Sequence, residues 1–189
     1  MSDQLFNVRS LRTLHDELVL NKTVHRHNAD LVVERLRQLA EMVVYGDNNN
    51  ELLFDFFCEM NMLSLFLEIM WTESGCPMKV HVQILQTLSI LIGCVRNETS
   101  LYYLLSNNYI NEIIIYPHNF DVDDDGLCDQ FVSFLKTLSL RLNEQTVQFF
   151  FVERTGSFPL LSRAIDLLHH HEPMVRIAAQ ATVLNVYQV

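Results

Sequence analysis

Asn97-Glu98-Thr99-Ser100-Leu101-Tyr102-Tyr103-Leu104-Leu105 is the stretch from which the fold is read. The polar pair at its head leads into an aromatic-rich apolar cluster, and the same arrangement stands at two other places. Asn50-Glu51 precedes Leu52-Leu53-Phe54-Asp55-Phe56-Phe57, and Asn143-Glu144 precedes Val147-Gln148-Phe149-Phe150-Phe151. The pairs are 47 and 46 residues apart, a period in the range of helical repeat proteins.

Working outward, each cluster is followed by a polar break and a second apolar segment: Met62 to Met70, Tyr109 to Tyr116, and Phe158 to Leu168. A longer segment with three- and four-residue spacing comes next, which predicts one helical stripe. Its apolar positions are Val82, Leu85, Leu88, Ile92 and Val95 in the first unit, then Phe131, Leu135, Leu138 and Leu142, then Ile177, Ala178, Ala181 and Leu184. Ile84-Leu85-Gln86-Thr87-Leu88-Ser89 and Phe134-Leu135-Lys136-Thr137-Leu138-Ser139 agree at four of six positions. The expectation is an all-α, armadillo/HEAT-like helical solenoid. It has three three-helix units of about 46 residues, at 50–96, 97–142 and 143–189, and an N-terminal helical cap over 7–49, within one domain spanning 1–189.

The cap is expected to hold a helix from Val8 to Leu20 and a long one from Asp30 to Tyr45, with Leu36, Leu39 and Val43 as its stripe and Gly46-Asp47 with Asn48-Asn49-Asn50 as its stop. Ser74-Gly75-Cys76-Pro77 separates two helices of the first unit, and Pro117 closes the second unit's middle helix. Asp123, Asp124 and Asp125 favour a helix start, and Glu172-Pro173 places proline at a first helical position.

Composition restricts the partners. Five glycines and four prolines in 189 residues leave few breakers, and no apolar run reaches the roughly 20 residues of a membrane span. The net charge of −10 is concentrated in residues 41–152, where 15 acidic side chains face 4 basic ones. Nucleic acid and anionic lipid surfaces reward clustered Lys and Arg, so protein partners are expected, with no nucleic acid and no transmembrane segment. Four scattered cysteines with no Cys-x-x-Cys, and no basic-then-apolar leader, fit a reducing, cytosolic setting.

Several constellations could carry chemistry. Asp121-Val122-Asp123-Asp124-Asp125-Gly126 supplies positions 1, 3, 5 and 6 of an EF-hand calcium loop, but position 12 is Val132 where a bidentate glutamate is needed, so the run reads as an acidic loop and helix start. His169-His170-His171 and His25-x-His27 carry metal-binding imidazoles, yet three consecutive histidines diverge on a helix. Cys58 and Cys94 lie in apolar runs and read as small buried hydrophobes. The phenylalanine clusters read as helix–helix interface. No nucleophile elbow, phosphate-cradling loop or zinc framework is present, so the chain is expected to be no enzyme and to need no cofactor or metal.

The long stretch from Glu98 to Ile110, together with Phe134-Leu135-Lys136-Thr137-Leu138-Ser139-Leu140-Arg141-Leu142-Asn143, Met174-Val175-Arg176-Ile177-Ala178, Leu184-Asn185-Val186-Tyr187 and Val82 to Ile90, resembles the FPL-domain family. Phe158-Pro159-Leu160 is similar to the family's naming tripeptide, and Tyr45-Gly46-Asp47 to its Trp/Tyr-Gly-Asp turn. The resemblance implies a protein-interaction scaffold in endosomal or Golgi vesicle trafficking, endosome–lysosome maturation and autophagy, including mitophagy. It would be cytoplasmic and peripheral at those membranes, with a small Rab GTPase or ubiquitin-ligase machinery as partners. It also implies that the chain is either the N-terminal part of a longer protein or a short relative. The loop Trp71 to Lys79 and the run Asp121 to Asp125 depart from the family pattern. Polar positions within the apolar motifs, Asn107, Asn108, Lys136, Arg176 and Asn185, are the candidate partner contacts, with loop capping and inter-helix hydrogen bonding as their other reading. A purely structural or oligomerisation module is the alternative function.

Overall fold

The asparagines at the head of the first two repeated clusters cap helices, and the third fastens a turn. In the computed structural model, which describes residues 6–72, 75–118, 120 and 126–189, the Asn50 side chain accepts from the Leu52 N–H at 3.3 Å. Asn97 accepts from Thr99 N–H at 2.9 Å, and Asn143 from the N–H groups of Gln145 and Thr146 at 2.9 and 2.8 Å. Glu51 and Glu98 then occupy first turns, where a negative charge meets the positive end of the helix dipole. Asn50-Glu51 and Asn97-Glu98 are helix starts, and Asn143-Glu144 opens the turn before Val147–Phe150.

The described residues are all-helical, with no strand and one isolated bridge between Val152 and Ser157. The helices are α1 (Val8–Leu20), α2 (Ala29–Asn49), α3 (Glu51–Glu59), α4 (Met62–Met70), α5 (Met78–Cys94), α6 (Glu98–Ser106), α7 (Tyr109–Ile115), α8 (Leu127–Ser139), α9 (Pro159–Asp166) and α10 (Pro173–Tyr187). Short 3-10 helices cover Val147–Phe150 and Leu167–His169. Asn61, at φ 49°, makes the left-handed link between α3 and α4 that asparagine tolerates. The chain divides into two units, Met1–Tyr103 and Leu104–Val189.

In the first unit α2 lies along α5. Leu36, Leu39 and Val43 on α2 and Leu85, Leu88 and Ile92 on α5 are fully buried. Polar links run beside this seam at a near-constant separation in sequence: Asp30 with Lys79, Arg37 with Gln83, the Leu36 carbonyl with Thr87, and Asp47 with the N–H groups of Arg96 and Asn97. These partners are 46 to 51 residues apart. The helix α4 is buried on nearly every side, with Glu68 exposed.

In the second unit α8 lies along α10 and α9 packs on α7. Phe131, Phe134, Leu135 and Leu138 form its centre. Arg163 on α9 donates to the carbonyls of Ile114 and Tyr116 at 3.2 and 3.1 Å, capping the end of α7. Asn185 on α10 donates to the Ser139 hydroxyl of α8 at 3.0 Å, again across 46 residues.

Some expectations are corrected. The cap helix does not stop at Gly46; α2 runs through it to Asn49. That glycine answers a close approach, because a Cβ there would stand 2.6 Å from the Leu53 Cβ. The third short helix is a single 3-10 turn, Val147–Phe150. The third long helix buries Val175, Ala179 and Thr182, while the expected stripe residues Ile177 and Leu184 are exposed. A helix that is apolar on all sides carries no periodic signal of which side faces inward.

Candidate functional site

Arg176, Asn185 and Asn108, among the five candidate contact residues, are engaged inside the second unit. Arg176 donates to the carbonyls of His170 and His171 at 2.8 and 2.7 Å, closing the 3-10 turn before α10. Asn185 holds Ser139, whose hydroxyl donates to the Lys136 carbonyl at 2.8 Å, so Asn185 and the backbone of Lys136 are tied through one residue. Asn108 accepts from Asn111 at 3.2 Å, and Asn111 donates on to the Phe149 carbonyl at 2.8 Å. Asn107 is half-buried, and the side chain of Lys136 is exposed. The five therefore do not form one patch: Lys136 and Asn185 lie together, Arg176 sits at the opposite end of α10, and Asn107 and Asn108 belong to the turn between α6 and α7.

The family tripeptide and turn have structural meanings. Phe158 packs its ring 6.3 Å from Phe150, Pro159 is the first residue of α9, and Leu160 is fully buried. In the turn, Tyr45 meets Phe6, Gly46 admits Leu53, and Asp47 accepts the two backbone N–H groups that precede α6.

A groove of about 810 Å³ lies in the first unit. One wall is a single face of α2, with Arg37, Ala40, Glu41, Val44, Tyr45 and Asn48 following helical spacing; the other holds Gln83, Gln86 and Ile90 of α5, and then Arg96. Arg37 Nε donates to the Gln83 side-chain oxygen at 2.9 Å. The sequence stripe pointed to the buried sides of these helices, and the groove lies on the polar sides, where no apolar period marks it.

A Cys/His juxtaposition was also not foreseen: Cys128 Sγ lies 3.6 Å from His170 Nε2, in a pocket of about 340 Å³. The Glu172 N–H donates to His170 Nδ1 at 3.2 Å. In a neutral ring this places the proton on Nε2, so His170 faces the sulfur as a donor and not as the base a nucleophilic thiol requires. The chain separation of 42 residues leaves no local motif by which to find the pair. Burial pushes the thiols of Cys58 and Cys76 up to about 12, with Asp55 adding to the effect at Cys58. Cys94, expected to be buried, is exposed at the end of α5.

Among the described residues no group of three His, Cys, Asp or Glu could hold a metal ion. The rings of His25 and His27 are stacked at 5.5 Å, and those of His170 and His171 lie 4.3 Å apart. The EF-hand-like run Asp121–Asp125 lies outside the described residues; Gly126, at φ 66°, is the N-cap before α8. Among the described residues no helix is long and apolar enough to cross a membrane.

Comparison with known proteins gives a match to the FPL family, described as an uncharacterised conserved protein, over residues 36–187. Protein CLEC16A homolog of Drosophila melanogaster is 50% identical over 183 residues, covering 97% of this chain and 17% of the relative. Protein CLEC16A of Homo sapiens is 47% identical over 188 residues, covering 100% of the chain and 18% of the relative. Protein TRANSPARENT TESTA 9 of Arabidopsis thaliana is 38% identical over 187 residues, covering 97% and 22%. The chain thus spans about a fifth of the length of these relatives. No solved structure matches.

Proposed function

The chain belongs to the FPL family, and we propose that it is a non-catalytic protein-interaction scaffold acting in endosomal or Golgi vesicle trafficking, endosome–lysosome maturation and autophagy. Its units at 50–96, 97–142 and 143–189, led by the cap at 7–49, form an armadillo/HEAT-like series within a single domain over 1–189. The observation that carries this reading is the set of polar links between residues 46 to 51 apart. Such links are what stacking of successive units produces, because equivalent positions one repeat apart become neighbours. The protonation geometry at His170 supports the non-catalytic part. Partners are a small Rab GTPase or ubiquitin-ligase proteins, and the location is cytoplasmic, peripheral at the organelle surface. Lys136, with Asn107, Asn108, Arg176 and Asn185 around the second unit, is the proposed contact set.

The test is affinity capture from cell lysate with the whole chain, its Lys136→Glu variant and a charge-matched helical control. Capture of trafficking or ubiquitin-ligase proteins by the chain and not by the control is the expected result. Recovery of the same proteins on both, or of none, ends the scaffold reading. Equal capture by Lys136→Glu removes that residue from the contact set.

The exposed face of α10 favours a second reading, an oligomerisation module. Met174, Ile177, Leu184 and Tyr187 are 71, 58, 61 and 73% exposed, an apolar row of the kind that is usually covered. Sedimentation over a hundredfold concentration range decides: a single monomeric species throughout rejects it.

A further inference from the structure

We propose that the groove between α2 and α5 is the docking site for an extended peptide segment of a partner protein, one that carries an aromatic side chain beside a carboxylate. The inference rests on the scaffold reading and adds to it a place and a chemistry.

The shape suits an extended chain. The lining residues of α2 span from Arg37 to Asn49 along one helix face, about 18 Å at 1.5 Å per residue. That length accommodates about five residues of extended peptide at 3.3 Å each. The occupant's aromatic group is indicated by the chain itself. Phe6, which precedes α1 and is half-buried, lines one end of the groove with its ring centroid 4.9 Å from Tyr45. The remaining floor, including Ile90 at 39% exposure, offers further apolar surface.

The carboxylate is indicated by charge. Arg37 and Arg96 both line the groove and are exposed, and among the described residues neither guanidinium makes an ion pair, the Asp47 carboxylate being bonded to the backbone N–H of Arg96. Arg37 gives its Nε to Gln83, which orients the guanidinium and leaves the two terminal nitrogens for a ligand. Arg96 stands in the segment 41–152, where acidic residues outnumber basic ones by 15 to 4, and Arg37 lies just before it; two guanidinium groups without ion pairs, against the single carboxylate of Glu41 in the lining, select an anionic group from outside. Gln86, exposed on the α5 wall, has the donor and acceptor that a peptide main chain needs.

A displayed library of random nine-residue peptides, panned on the whole chain, tests this. The Arg96→Glu and Ile90→Glu variants, both at exposed positions, are checked for unchanged helicity and urea midpoint. Enriched clones are expected to pair Phe, Tyr or Trp with a neighbouring Asp or Glu, and synthetic peptides of those clones to lose about tenfold in affinity on each variant. No enrichment, enrichment without a carboxylate, or equal affinity for the variants overturns the proposal. Self-association abolished by the two substitutions would make a second copy the occupant, which also overturns it. Lysate proteins captured equally by the chain and both variants leave the scaffold reading standing and remove the groove as their site.

Discussion

His81 is buried on α5, and burial lowers its imidazole from 6.5 to about 4. The unfolded chain takes up a proton there near pH 6.5 and the folded chain only near pH 4. Between those values the unfolded state holds more protons, so stability is fully present above pH 6.5 and falls as the pH drops toward 4, by about 3 kcal/mol. Urea midpoints measured from pH 7 to 4 are expected to decline less steeply for His81→Gln than for the unaltered chain, and parallel declines would reject this role. Gly46 makes a second residue-scale prediction. Alanine there gains about 1 kcal/mol of helix propensity, but its Cβ meets the Leu53 Cβ at 2.6 Å, and that atom is anchored next to a buried backbone. Gly46→Ala is therefore expected to destabilise by about 1–2 kcal/mol net of propensity, read from the urea midpoint; a more stable variant would show that α2 and α3 separate freely. The sequence places this glycine at a helix stop, because its usual role is local, and its actual role depends on a residue seven positions later.

Among the elements, α10 separates most clearly what periodicity can and cannot decide. Its inner side is Val175, Ala179 and Thr182, and its outer side Met174, Ile177 and Leu184. Ile177→Glu is expected to change stability by no more than about 0.5 kcal/mol, whereas Ala179→Glu places an unpaired carboxylate in the core and is expected to unfold the second unit. Circular dichroism melts of the two variants check the orientation, and the reverse order would mean the helix is turned. The helix starts were legible, because an N-cap needs only an asparagine and the N–H groups two and three residues on. The third cluster was legible as a start and not as an α-helix. After Asn143 the chain enters a 3-10 turn, and Phe149 gives its carbonyl to Asn111, a tertiary bond that local sequence does not report.

For the whole molecule, charge sets the first expectation. With a net charge of −10 the chain should not co-sediment with phosphatidylserine-containing vesicles at physiological ionic strength. Recruitment to an organelle would then require a protein at that surface, and tight binding to the vesicles alone would contradict this. The candidate contact residues illustrate how much of a site the sequence can reveal. Asn108, Arg176 and Asn185 stand out as polar groups in apolar motifs, and the structure shows each bonded within the second unit. The groove residues Arg37, Gln86 and Arg96 are unremarkable in sequence, because they are ordinary surface residues until two helices bring them together.

The sequence by itself determined the helical class, the positions of most helices and the family. Each of these is written in residues a few positions apart, as caps, breaks and three- and four-residue spacings. The tertiary structure decided which face of α10 turns inward, why Gly46 must be glycine, that His170 faces Cys128 as a donor, and that two arginines line one groove. Most of these depend on contacts between residues distant in sequence, where the choice among several apolar or polar faces is made by the neighbour that occupies them and not by the segment itself.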